Sequence, residues 1–102
     1  MSVEVLAVPE RNRYEISVDG EVAGFTEYLA RGENTLAFTH TQVDEKFSGQ
    51  GLAGKLVTAA LDDVRKQGKE LLPYCPYVRS FVGKHPEYAD LVPEAKRTEF
   101  GL

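Results

Sequence analysis

Residues 35–64 read TLAFTHTQVDEKFSGQGLAGKLVTAALDDV, and the hydrophobic period changes once along them. Up to Val43 the residues favour a strand. Leu36, Phe38, His40 and Gln42 fall on one face at period two, and Ala37, Thr39, Thr41 and Val43 on the other. From Leu52 onward the apolar residues recur at three and four: Leu52, Leu56, Ala59, Ala60 and Val64, widened by Val57 and Leu61. Lys55, Thr58, Asp62, Asp63, Arg65 and Lys66 are left for the water-facing side. Gly68 is a C-terminal stop, with Arg65 and Lys66 in the last turn, where they suit the helix dipole. Between the two periods lies Ser48-Gly49-Gln50-Gly51-Leu52-Ala53-Gly54. The stretch predicts a strand, a glycine turn and an amphipathic helix.

Upstream, Tyr14, Ile16 and Val18 alternate over residues 13–18, and Asp19-Gly20 signals a tight hairpin turn. Residues 21–29 continue as a strand in which Gly24 marks a bulge or a close backbone approach. Arg31-Gly32-Glu33-Asn34 turns the chain into the strand already described. These three strands make an antiparallel meander that begins after Asn12. Downstream, Glu70-Leu71-Leu72 is a short fourth strand, bracketed by Pro73 and Pro76. Each proline removes a ladder donor, so this strand end is splayed or at an edge. Val78, Phe81 and Val82 predict a short helix over residues 77–85, with a further turn at residues 86–91. Residues 94–102 are polar and read as a flexible tail. The fold class is α+β, an α/β sandwich with one parallel crossover, and residues 1–102 form one domain.

Composition narrows the function. A chain of 102 residues with 42% hydrophobic residues is one small folded domain, too short for a TIM barrel, a full doubly wound dinucleotide domain or a two-domain enzyme. The net charge of −4 and scattered basic residues argue against nucleic-acid binding. One cysteine and two histidines exclude an internal disulfide and make a structural zinc site unexpected, so no metal is assigned. There is no signal-peptide pattern and no membrane-spanning run, and a cytoplasmic protein is the default reading. A monomer is the default, with a homodimer if a sheet edge needs cover.

The glycine turn suggests an anion site. First-turn N–H groups of a helix lack intrahelical partners, and the dipole favours negative charge there. No Gly-Lys-Ser/Thr closes the loop, so it is not a Walker A loop. Gly49-x-Gly51-x-x-Gly54 matches the dinucleotide fingerprint in spacing but follows an antiparallel meander, which is the wrong context. The bare motif is equally compatible with a glycine turn that only packs a helix tightly.

A wider pattern is more specific. His40-Thr41-Gln42-Val43, then residues 47–57, FSGQGLAGKLV, resemble the acetyl-coenzyme A motif of the GCN5-related N-acetyltransferase (GNAT) superfamily. Cys75-Pro76-Tyr77-Val78 and His85-Pro86-Glu87-Tyr88 resemble its minimal members, the N-acetyltransferase domain-containing 1 type. The likeness runs from about Tyr14 to Val92. One position departs: Ser48 stands where the superfamily usually has Arg or Gln, which lessens side-chain support for a phosphate.

The resemblance implies a minimal GNAT-like acyl-CoA N-acyltransferase fold that uses acetyl-CoA or coenzyme A. It implies that the pantetheine arm pairs near Thr41 and Val43, in an opening between the third and fourth strands. The pyrophosphate then sits on the amides of Gln50, Gly51, Leu52, Ala53 and Gly54, with Gly49 in the same cofactor-binding loop and Lys55 adding a screened positive charge. As a general base His40 is chemically suitable, and Cys75 is an active-site candidate able to take an acetyl group. Each also has a plain reading, a structural histidine and a small buried hydrophobe. Tyr74 or Tyr77 is a candidate proton donor to the leaving thiolate. The leading function is an N-acetyltransferase acting on a small-molecule or protein amine. The alternative is a coenzyme A-binding sensor or interaction module with little catalysis, because larger relatives build the acceptor side from N-terminal helices.

Overall fold

The computed structural model describes residues 2–102. Its centre is a five-stranded sheet in sequence order, β1 (Val3–Val8), β2 (Arg13–Val18), β3 (Glu21–Arg31), β4 (Thr35–Val43) and β5 (Glu70–Pro73). Strands β1 to β4 are antiparallel, and β5 joins β4 in parallel after the crossover helix α1 (Leu52–Lys66). Helix α2 (Pro76–Lys84) follows, then a 3-10 turn (Pro86–Leu91) and the one-turn helix α3 (Glu94–Arg97). This is the mixed α/β arrangement expected, with one strand more.

The extra strand is β1, which pairs with β2 over its full length although Val3 and Val5 give only a short alternation. The hairpin at Asp19-Gly20 has positive φ at both residues, as a two-residue primed turn requires. Gly24 proves to be both things at once. It lies beside a register shift in the β2/β3 ladder, and a Cβ there would sit 2.5 Å from the Gln42 carbonyl oxygen.

The faces of β4 differ from simple alternation. The β3/β4 register slips between Glu27 and Tyr28, so Glu27 pairs with His40, Tyr28 pairs with Phe38, and Thr39 is the unpaired extra residue. Phe38 is buried in a ring cluster with Tyr14 and Tyr28, while Thr41 hydrogen-bonds Thr26 on the same inner face. Two inward residues three apart cannot both be met at period two, and the bulge at Thr39 reconciles them. His40 and Gln42 are therefore not on the face of Leu36 and Phe38. They are exposed on the opposite side, where the His40 ring packs against Phe25.

Helix α1 covers the inner face of β2, β3 and β4, burying Leu52, Leu56, Val57, Ala60, Leu61 and Val64. Its polar side is not simply wet. Tyr14 donates its hydroxyl hydrogen to Asp63 at 2.6 Å and Tyr88 to Asp62 at 2.8 Å, fixing the helix to the sheet below and to the 3-10 turn beside it. The tail forms helical turns and packs on the core despite its polar composition. Phe100 is 4% exposed and packs edge-on against Tyr74, and Leu102 leans on the core.

Candidate functional site

The site begins where β4 loses its partner. Strand β5 pairs with β4 only from Thr35–Glu70 to Phe38–Pro73, and one more bond, from Cys75 N–H to Phe38 O at 2.8 Å, closes the contact. Pro76 then opens α2 and leads the chain away. Among the described residues, no strand pairs with the remainder of β4, through Val43, on that side. Asp44 N–H donates to Ala23 O on β3 at 2.7 Å. Strand alternation therefore turns the peptide groups of Val43 and Thr41 toward the unpaired edge. The sheet opens where the two prolines and the parallel register together predict.

The unpaired edge runs into the glycine loop. The Asp44 carboxylate caps a 3-10 turn at Glu45–Phe47 by accepting from Lys46 N–H, and the buried Phe47 ring anchors it. Gly49 has φ +80° and Gly51 φ +70°, a left-handed backbone that L side chains rarely adopt. A Cβ at either would meet no atom within 4 Å, so dihedral angle and not space selects glycine. Gly51 is the N-cap of α1 and provides no side-chain acceptor, and the first turn carries no acidic residue. The leading N–H groups of α1, around Leu52, Ala53 and Gly54, are left facing outward with the positive end of the dipole. Gln50 is exposed between the two glycines, and Lys55 is exposed on the first turn.

Two cavities flank this loop and share Gly51 and Gly54. One, of about 250 Å³, lies between the end of β4 and Tyr77 and is lined by Val43, Phe47, Ser48 and Gly49. The other, of about 490 Å³, lies between α1 and α2 and is lined by Lys55, Thr58, Ala59, Asp62, Phe81 and His85. Gly54 is helical, where glycine costs about 1 kcal/mol against alanine. A Cβ there would meet only the Tyr77 hydroxyl, at 3.8 Å, so the protein does not need the gap for its own packing. The bare helix end therefore lies beside a groove into which position 54 sends no side chain.

Of the two candidate catalysts, Cys75 is in the opening and His40 is not beside it. Cys75 is 3% exposed at the start of α2, and its S–H donates to Thr41 Oγ1 at 3.4 Å. Thr41 Oγ1 in turn shares a 2.8 Å hydrogen bond with Thr26 Oγ1, which is fully buried. His40 stands on the other face, 3.2 Å from the Gln42 amide oxygen. Tyr77 lines the smaller cavity, and partial burial pushes its phenol up, so it remains protonated and able to donate. Tyr74 points instead at Phe100. Sequence reasoning did not single out Thr26, nor the cavity-lining Thr58, Asp62 and Phe81. The signal for Thr26 lies in the ladder, which pairs it with Thr41, and that pairing follows the bulge.

A family model described as GCN5-related N-acetyl-transferase matches residues 13–91. Protein NATD1 of Danio rerio is 28% identical over 88 residues, covering 81% of this chain and 78% of that protein. Protein NATD1 of Xenopus tropicalis is 27% identical over 88 residues, covering 83% and 79%. Among solved structures, a GCN5-like protein from Staphylococcus aureus superposes with a TM-score of 0.67 at 21% identity, covering 88% of this chain and 87% of that one.

Proposed function

Since the chain belongs to the GCN5-related N-acetyl-transferase family, whose fold typically serves acyl-CoA-dependent transfer, we propose that it moves an acetyl group from acetyl-CoA to an amine. The observation that carries this reading is the continuity of the unpaired β4 edge with the bare N-terminus of α1. The peptide groups of Thr41 and Val43 pair with the pantetheine arm. The amides from Gly49 to Gly54 hold the pyrophosphate, Lys55 adds screened positive charge, and the cavity between α1 and α2 takes the remaining nucleotide end. The thioester supplies an activated acetyl group.

Cys75 then lines the place where the thioester ends, and the Tyr77 hydroxyl donates toward the leaving sulfur. His40 acts as base for an amine that reaches the opening from the exposed face of the sheet, since it does not face Cys75. The acceptor is a small molecule or an exposed protein amine. A second reading, a coenzyme A-binding protein with little turnover, is favoured by that same separation of His40 from Cys75.

The test is release of coenzyme A from acetyl-CoA across a panel of primary amines, with calorimetric titration alongside. Binding with turnover supports transfer, and binding without turnover leaves the sensor reading. No heat at millimolar ligand removes both. Intact mass after acetyl-CoA treatment, together with the activity of Cys75→Ala, decides whether the thiol carries the acetyl group: no adduct and full turnover remove that role.

A further inference from the structure

The hydroxyl pair beside Cys75 has a donor to spare. Thr26 is 0% exposed, and among the described residues its side chain has one hydrogen-bond partner, Thr41 Oγ1 at 2.8 Å. A hydroxyl carries one hydrogen and two acceptor sites. If Thr41 donated to Thr26, the Thr26 hydrogen would be buried without an acceptor, at a cost of about 1–3 kcal/mol. The satisfied arrangement is the reverse, with Thr26 donating to Thr41. The Cys75 S–H also points at Thr41 Oγ1, at 3.4 Å. Both acceptor sites of Thr41 are then filled, and its own hydrogen is left over. Thr41 is only half-buried, and it lies on the part of β4 that β5 leaves unpaired.

We propose that the Thr41 hydroxyl is an oriented donor to the acetyl carbonyl oxygen of the thioester, with Thr26 as the positioning residue that keeps Thr41 in the donor state. This rests on the reading that acetyl-CoA occupies the opening. Two accepted hydrogen bonds polarise the Thr41 O–H and strengthen its donation. Negative charge builds on that carbonyl oxygen as a nucleophile adds, and a donor fixed in advance stabilises it without reorganisation. The device serves direct attack by an amine, during which Cys75 keeps the S–H that it donates to Thr41.

The test is isotope-edited infrared spectroscopy of acetyl-CoA labelled with carbon-13 at the carbonyl, bound to the protein, with calorimetric binding of coenzyme A measured in parallel. In the wild type the carbonyl stretch is expected below its free-solution position. Thr41→Val returns it to that position, Thr41→Ser keeps the lowered value, and Thr26→Val gives an intermediate one. Coenzyme A affinity is measured for every variant, and the carbonyl stretch is read at saturating ligand. If Thr41→Val does not bind coenzyme A, Thr41→Ala serves in its place. A wild type that binds with an unshifted stretch, or a lowered stretch that survives removal of the hydroxyl, overturns this proposal and leaves the acetyltransferase reading standing. A wild type that does not bind acetyl-CoA overturns both.

Discussion

The two faces of the sheet carry different work, and β4 contributes to both. Its inner face presents Leu36, Phe38 and Thr41 to α1 and α2, and these are buried or half-buried. Its outer face presents His40 and Gln42 to solvent, on the side where Leu6 is 57% and Leu29 53% exposed. One inserted residue, Thr39, makes the division. The lesson is that a bulge assigns chemistry as well as shape. It places a hydroxyl beside Cys75 and an imidazole on the other side of the same strand. Under the proposed acetyl transfer, His40 and Cys75 would then meet the substrate from two directions.

The contrast can be broken at several points. The largest effect is expected from Phe38→Ala, which empties the centre of the inner face and lowers stability by about 3–5 kcal/mol, measured by urea unfolding. Next is Gly24→Ala. Its Cβ would lie 2.5 Å from a carbonyl oxygen of β4, so β3 and β4 must move apart, at a cost of about 1–3 kcal/mol in the same assay.

A pH scan probes the inner face from another side. Burial, and then the hydrogen bond to Asp62, push the Tyr88 phenol up to about 12 from 10.0, and burial with the Asp63 bond pushes Tyr14 up as well. A raised phenol pKa means the folded state favours the neutral form. The contribution is complete below pH 10.0 and is lost as pH rises toward 12. The thermal midpoint should fall across that window, and Tyr88→Phe should fall less. On the outer face, Leu29→Ala and His40→Ala should each stay within about 0.5 kcal/mol of the wild type. His40→Ala should leave coenzyme A affinity alone while altering the pH–rate profile. An unchanged profile would remove His40 as the base.

Much of this was legible in the order of residues. The Asp19-Gly20 turn, the strand at Thr35–Val43, the glycine loop and the long helix all follow from local chemistry, and the structure places them where that chemistry predicts. The opening of the sheet was legible too, because Pro73 and Pro76 limit pairing wherever they stand. What local patterns could not carry is pairing. Strand β1 is held by the β2 ladder more than by its own alternation. The bulge at Thr39 exists because Phe38 and Thr41 must both face inward, which only their partners on β2 and β3 decide. The tail looked polar by count, yet a single aromatic residue, Phe100, is enough to dock it. Asp62 and Asp63 looked solvated until Tyr88 and Tyr14 reached them across 26 and 49 residues of chain.

The most direct test of cofactor binding along the β4 edge and the glycine loop is an amide chemical-shift titration of the protein with coenzyme A. Saturating shifts are expected at Thr41, Val43 and the amides from Gly49 to Lys55, with the exposed sheet face around Leu6 and Leu29 unmoved. No shifts at millimolar coenzyme A, or shifts gathered on that exposed face instead, would contradict that binding.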